Sequence, residues 1–323
     1  MPLDTPLCRL LDIRHPILLA PMGGISGGAL AAAVTRAGGL GIIGGGYGDR
    51  AWLERELDAA GEARIGIGFI TWSLARNPAL LDLALTRSPV AVFLSFGDPR
   101  PFVAKIRARG AKLILQVQTL REAREAQELG ADLIVAQGTE AGGHGTTRRA
   151  LFPLLPAVVD AVAPTPVVAA GGISNGRQLA AALMLGTAGV LVGTRFFAAK
   201  ESLGHANAKA RIVAAGGDDT LRTHIFDIVR ELDWPKAYTG RAIANELSRR
   251  WHGAEAGLGA ALKEEKPRYA AAVQAGDFET AVIFAGEGLD LVCDIPTAAE
   301  IVERLASEAE ELLERAARFV ASD

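Results

Sequence analysis

Between residues 17 and 193, short runs of apolar, β-prone residues recur at intervals of roughly 20 to 30 residues, and this recurrence restricts the fold more than any other feature. The runs are ILLA (17 to 20), LGII (40 to 43), IGIGF (65 to 69), VAVFLSF (90 to 96), KLILQV (112 to 117), DLIVAQ (132 to 137), PVVAA (166 to 170) and GVLVG (189 to 193). Their near-continuous apolar character suits parallel strands covered on both faces rather than half-exposed antiparallel ones. The spacing leaves room for one return helix after each strand, the repeating unit of a closed barrel. Six strands would fit an open doubly wound sheet equally well, so the expectation of an α/β fold built on a TIM (β/α)8 barrel rests on counting all eight. Local signals agree. Asp98-Pro99 reads as an N-cap with proline at the first helical position, Thr119 with Glu122 as a capping box, and Gly110 and Gly130 as helix ends.

The rhythm changes after about residue 200. Helices are expected around 206 to 215, 240 to 250 and 258 to 273, with turns at Gly216-Gly217 and Gly257-x-Gly259 and with Trp234 and Trp251 as hydrophobic anchors. This reads as a mainly helical inserted second domain. From Thr297, with Glu300 three positions on, Ile301, Val302, Leu305, Leu312, Leu313, Ala316 and Phe319 fall at mostly helical intervals, as an amphipathic helix returning to the main body requires. The expected division is therefore 1–204 for the barrel, 205–280 for a helical cap, and 281–323 for the return segment with the last barrel helix.

Lys and Arg number 34 against 37 Asp and Glu, a net charge of −3, so no strong positive field attracts a nucleic-acid backbone. No apolar stretch reaches the roughly 20 residues of a membrane span, and no charged-then-apolar leader opens the sequence, so a cytoplasmic enzyme with no membrane partner is expected. Cys8 and Cys293 lie far apart and have no metal-binding spacing. His15, His205, His224 and His252 stand in unrelated contexts, and no metal site is expected. A homodimer is compatible with the chain.

Glycine and polar residues cluster just after several of the proposed strands, where α/β architectures place their sites. In APMGGISGG (20 to 28), Pro21 fixes backbone direction, Met22 offers a soft apolar surface and Gly23 admits a ring close to the main chain; the bland alternative is a tight turn with Met22 filling core space. In VAAGGISNGR (168 to 177) and VLVGTRF (190 to 196), the amides of Gly171, Gly172 and Gly193 and the hydroxyl of Thr194 can form a phosphate cup; alternatively Ser174 is only an N-cap and Arg195 only a surface charge. Gln116, near the end of the fifth strand, can hydrogen-bond the edge of a flavin ring or serve as an ordinary strand-end polar group. His144 in AQGTEAGGHG (136 to 145) sits in a small-residue frame where an imidazole can exchange protons near neutrality, with Glu140 available to orient the loop or polarise the ring. Structural and metal-binding roles for His144 stay open on these grounds.

In this order, APMGG (20 to 24), GIGF (66 to 69), QGTEAGGHG (137 to 145) and AAGGISNGRQLAAALMLGTAGVLVGTRF (169 to 196) closely resemble the nitronate monooxygenase family, formerly called 2-nitropropane dioxygenases. The likeness continues through Glu201, Ser202 and Lys209 into AGEGLDLV (285 to 292). It implies an FMN-containing TIM barrel with a helical domain inserted before the last barrel helix, and oxidation of an alkyl nitronate by molecular oxygen to a carbonyl compound and nitrite. It further implies that His144 lies near the reactive face of the flavin, that Gly171, Gly172, Gly193 and Thr194 hold the phosphate, and that Pro21, Met22 and Gly23 contact the ring. Related flavin reductases carry lysine where Gln116 stands, and many nitronate enzymes carry glutamine where Glu287 stands. The alternatives are an NAD(P)H-dependent flavin reductase acting on quinones or enoyl thioesters, and a noncatalytic FMN-binding protein.

Overall fold

The computed structural model describes residues 3–316. Its strands are β1 (Ile17–Leu19), β2 (Ile42–Gly44), β3 (Gly66–Ile70), β4 (Ala91–Ser95), β5 (Lys112–Val117), β6 (Leu133–Gln137), β7 (Gly143–Gly145), β8 (Val167–Ala170), β9 (Gly189–Val192), β10 (Thr220–Thr223) and β11 (Thr239–Ile243). Eight of them form one parallel sheet in the order β1-β9-β8-β6-β5-β4-β3-β2. The sheet closes on itself through a parallel bridge between Leu18 and Leu40, where Leu19 N–H donates to Leu40 C=O and Leu40 N–H to Ile17 C=O, each at 3.0 Å. That seam decides for the barrel and against the open sheet.

Alternation along each strand sorts its side chains into two layers. Leu18, Phe93, Ile114, Val135 and Val168 fill the barrel interior, while Leu19, Val92, Leu94, Leu113 and Ile134 pack under the surrounding helices. The helix Pro6–Leu11 plugs the amino-terminal end with Leu7 and Leu11, and the Thr5 hydroxyl pins it by donating to Ala188 C=O at 2.7 Å. The Thr119–Glu122 capping box starts the helix Leu120–Glu128, and Gly110 and Gly130 follow helix ends at φ +71° and +73°. At Asp98-Pro99 the cap is displaced by one residue. Pro99 occupies the N-cap of Arg100–Ala108, and the Asp98 carboxylate accepts from Arg100 N–H.

The long excursion between β9 and the final barrel helix is mainly helical, as expected, but it also carries strands that its sequence did not announce. It contains β10 and β11, which pair antiparallel with each other, and β11 also pairs with β7 from the loop after β6. The helix expected over 240 to 250 is thus a strand followed by a short helix, Glu246–Trp251, begun by an Asn245–Ser248 capping box. Gly257 and Gly259 lie inside the helix Glu255–Ala275 rather than in a turn. Glycine costs about 1 kcal/mol in a helix, which burial of Leu258, Tyr269 and Ala272 along that helix offsets. Thr297 and Glu300 cap the return helix Ala298–Glu314. It lies so close against Gly176–Met184 that a Cβ on Gly176 would fall 2.6 Å from Ala309 N. Phe319, assigned to this helix from its spacing, lies outside the described residues. Among the described residues no helix is long and apolar enough to cross a membrane.

Gly41 stands between the closing seam and the helix Gly28–Arg36, where a Cβ would lie 1.8 Å from Ala31 O. Gly41→Ala is expected to lower stability by about 1–3 kcal/mol, read as a lower urea midpoint with an unchanged slope.

Candidate active site

A cavity of about 360 Å³ opens at the carboxyl ends of the barrel strands, the rim where this architecture carries its chemistry. Pro21, Met22, Gly23, Gln116, His144, Gly171, Gly172, Gly193 and Thr194, singled out in the sequence from separate loops, all line it. The first loop is held by Ser26, fully buried, whose hydroxyl accepts from Met22 N–H at 2.7 Å and whose carbonyl accepts from Gly44 N–H. Gly44 lies so near the Met22 backbone that a Cβ would come within 2.5 Å of it.

On the cavity lining, Gly171 and Gly172 adopt φ +120° and +69°, a backbone region that L side chains rarely enter. Among the described residues no carbonyl accepts from their amides. At Gly193 a Cβ would meet only Ala20 Cβ and Met22 Sδ, at 3.6 and 3.7 Å. The Thr194 hydroxyl accepts from Gly286 N–H at 3.0 Å and keeps its own hydrogen to donate. This is a cradle of donors suited to an anionic group. Asn175, not Ser174, caps the next helix, while the Ser174 hydroxyl donates to Gly288 C=O. Arg195 is buried and paired with Asp294 at 3.0 Å, not a surface charge.

His144 occupies the middle of β7, opposite Gly240, so its small-residue frame is a strand. Its carbonyl accepts from Gln137 Nε2 at 3.1 Å, and Gln137 Oε1 accepts from both Gln116 at 2.8 Å and Gln118 at 2.6 Å. This glutamine chain ties β5 and β6 to the histidine. The imidazole is 7 % exposed and stacks on Trp234 with ring centroids 3.5 Å apart and planes 3° from parallel. Its Nε2 meets both oxygens of Asp227, itself 4 % exposed, at 2.9 and 3.0 Å. A carboxylate accepts, so Nε2 carries the hydrogen and Nδ1 keeps the lone pair. Burial holds the imidazole below its ordinary pKa; Asp227 opposes this, and the cations Arg230 and Arg222 add to it. Burial and then Arg241 push Arg222 down to about 10.

Glu140 does not polarise the histidine. Its carboxylate accepts from Leu151 N–H and so caps the helix Leu151–Val162, orienting the loop. Glu287 pairs with Arg241 at 2.7 Å, and Glu201 accepts from Ala298 N–H. Asp227, Arg230 and Tyr47 carried no signal in the sequence, and Trp234 was legible only as an anchor. An indole–phenol bond links the last two, with Trp234 Nε1 donating to the Tyr47 hydroxyl at 3.1 Å. Trp72, Phe96 and Tyr238 extend this aromatic wall. Among the described residues no cluster of histidine, cysteine or carboxylates could hold a metal.

A sequence profile described as "Nitronate monooxygenase" matches residues 4–63 and 74–308. A nitronate monooxygenase of Neurospora crassa is 32 % identical, covering 95 % of this chain and 93 % of its own. The structure of FabK from Thermotoga maritima superposes with a TM-score of 0.87 at 30 % identity, covering 98 % of this chain and 100 % of that one. That of a nitroalkane oxidase from Streptomyces ansochromogenes superposes with a TM-score of 0.79, also at 30 % identity, covering 95 % and 99 %. With the profile spanning most of the chain and the barrel, glycine cradle and rim histidine in place, this chain belongs to the nitronate monooxygenase family.

Proposed function

We propose that this protein oxidises alkyl nitronates with molecular oxygen to carbonyl compounds and nitrite, using FMN as its redox group. The observation that carries this reading is a neutral imidazole, fixed by a carboxylate and a parallel indole, lining the same cavity as a cradle of glycine amides. The cavity falls within the roughly 300–1,000 Å³ of small-ligand sites. Gly171, Gly172, Gly193 and Thr194 would hold the cofactor's phosphate, and Pro21, Met22, Gly23 and Gln116 would border its ring. When bound, FMN supplies the electron transfer that no side chain here can perform. Residues 1–204 and 281–323 are read as the body that holds it and 205–280 as the cap. Cys8 and Cys293 are free thiols, which suits a reducing cytoplasm.

The protein's own part in the chemistry is positional and acid–base. Asp227 fixes the ring so that Nδ1 is the basic atom, and Trp234 fixes its plane. With Nδ1 unprotonated, His144 can remove the α-proton of a neutral nitroalkane and convert it into the anionic substrate. A nitronate supplied directly needs no such base and needs only to be oriented. Phe69, Phe96, Trp234 and Phe284 give the cavity an apolar lining that limits water.

Nitrite formation from propyl-1-nitronate by the FMN-loaded protein, with oxygen consumed and no reduced nicotinamide present, is the direct test. Nicotinamide oxidation dependent on a quinone or an enoyl thioester, with negligible nitronate turnover, would overturn it. His144→Ala is expected to reduce turnover of neutral 1-nitropropane by about 10²–10⁴-fold, the range of a positioned base, with a much smaller loss on the preformed nitronate. Comparing initial rates on the two substrates checks this. Because burial lowers the His144 pKa, its base form persists as pH falls, and the rising limb of kcat/KM for 1-nitropropane should lie below pH 6.5. Asp227→Asn removes the group that raises this pKa, so the limb should move to still lower pH while the plateau drops. A limb that stays in place or rises would contradict the assignment.

A further inference from the structure

We propose that Arg230 is the anion-receiving residue of this site, holding the charged oxygens of a nitronate, or of the nitronate forming under proton removal, beside His144. This deepens the reading above and rests on it for the identity of the substrate.

Arg230 follows the helix Ile225–Val229, which also carries Asp227, and it lines the cavity. Its guanidinium carbon lies 5.4 Å from the Tyr47 ring centre and 6.0 Å from that of Phe284, whose ring centre is in turn 5.3 Å from that of His144. Other partly buried arginines are satisfied. Arg195 pairs with Asp294, Arg211 with Glu279 and Arg241 with Glu287, while Arg222 donates to the carbonyls of Thr139, Ala141, Gly145 and Thr239. Among the described residues no carboxylate lies within 4.0 Å of Arg230, and its Nη1 is buried without a hydrogen-bond partner. A guanidinium at a largely apolar cavity wall with one buried N–H group lacking an acceptor is a ready receptor for an anion. Asp227, three residues earlier, is engaged by the imidazole at 2.9 and 3.0 Å and makes no ion pair with the guanidinium.

The chemistry of the neighbouring base gives this charge a use. When Nδ1 takes the α-proton of a nitroalkane, the C–H electron pair becomes the second bond of C=N and an N–O electron pair moves onto oxygen. The proton resides on the imidazole and the negative charge on two oxygens in a plane. No electrons leave the substrate in this step. A planar guanidinium with paired N–H donors matches two coplanar oxygens better than any other side chain, so Arg230 lowers the energy of the anion as it forms.

The test uses the FMN-loaded protein and nitrate, a planar, unreactive oxyanion. Nitrate is expected to perturb the flavin absorbance of the wild type and to compete with propyl-1-nitronate. Arg230→Gln should weaken nitrate binding by roughly 10–100-fold, with Arg230→Lys intermediate. KM for propyl-1-nitronate should rise in parallel, while KM for neutral 1-nitropropane stays nearly unchanged, a split that a merely structural role would not produce. Failure of nitrate to compete in the wild type overturns the proposal even if no variant folds. So does an unchanged nitrate affinity in either variant, or an equal rise in KM for neutral and anionic substrates. Nitrate binding through Arg230 without nitrite formation from any nitronate would keep the anion site and overturn the nitronate reading instead.

Discussion

A parallel barrel satisfies its backbone only if each strand has a neighbour on both sides, and here the last two edges meet through the short pairing of Leu18 with Leu40. Everything at the rim depends on that closure. With it, the carboxyl ends of eight strands point the same way and strand register fixes the residues that follow them. Gln116 stands beside Val135, and Gln137 beside Ala170, one residue before the glycine cradle. An open sheet of the same strands would splay these ends apart.

The two halves of the site have different origins and different chemistry. The barrel loops contribute glycine amides, a threonine hydroxyl and the glutamine chain, which form a largely neutral floor. The later excursion contributes the charges and the ring that stacks on the imidazole, namely Asp227, Arg230 and Trp234, all between β10 and β11, while Tyr47, Trp72 and Phe96 come from the barrel. His144 belongs to a barrel loop yet is positioned by both, since its carbonyl is held by Gln137 and its imidazole by Asp227 and Trp234. Asp227 and the cations Arg230 and Arg222 pull the imidazole's proton affinity in opposite directions, and desolvation, the largest effect, favours the neutral ring.

The barrel was legible because eight apolar runs and their caps are local signals, each carried by a few adjacent residues. The cradle was legible for a related reason, since Gly171 and Gly172 do what only glycine does readily and stand directly after a strand. The excursion was harder to read. Its strands β10 and β11 are polar, with Arg222 and Arg241 inside them, because their stability comes from a partner strand distant in sequence rather than from alternating apolar residues. Asp227, Arg230 and Trp234 were obscured in the same way. Their spacing matches an ordinary helix and turn, and only the tertiary fold brings them to the histidine. Glu140, four residues before His144, reads equally as a loop anchor or as the histidine's partner, and its bond to Leu151 N–H makes it the anchor.

The sheet that β7 shares with β10 and β11 means that the excursion is not a portable cassette. Excised, β11 would keep β10 but lose β7; transplanted into another barrel, the excursion would arrive with an aspartate and no histidine to orient. Recombination at its two ends therefore separates the members of one proton-handling pair, whereas single substitutions along the aromatic border leave that pair whole.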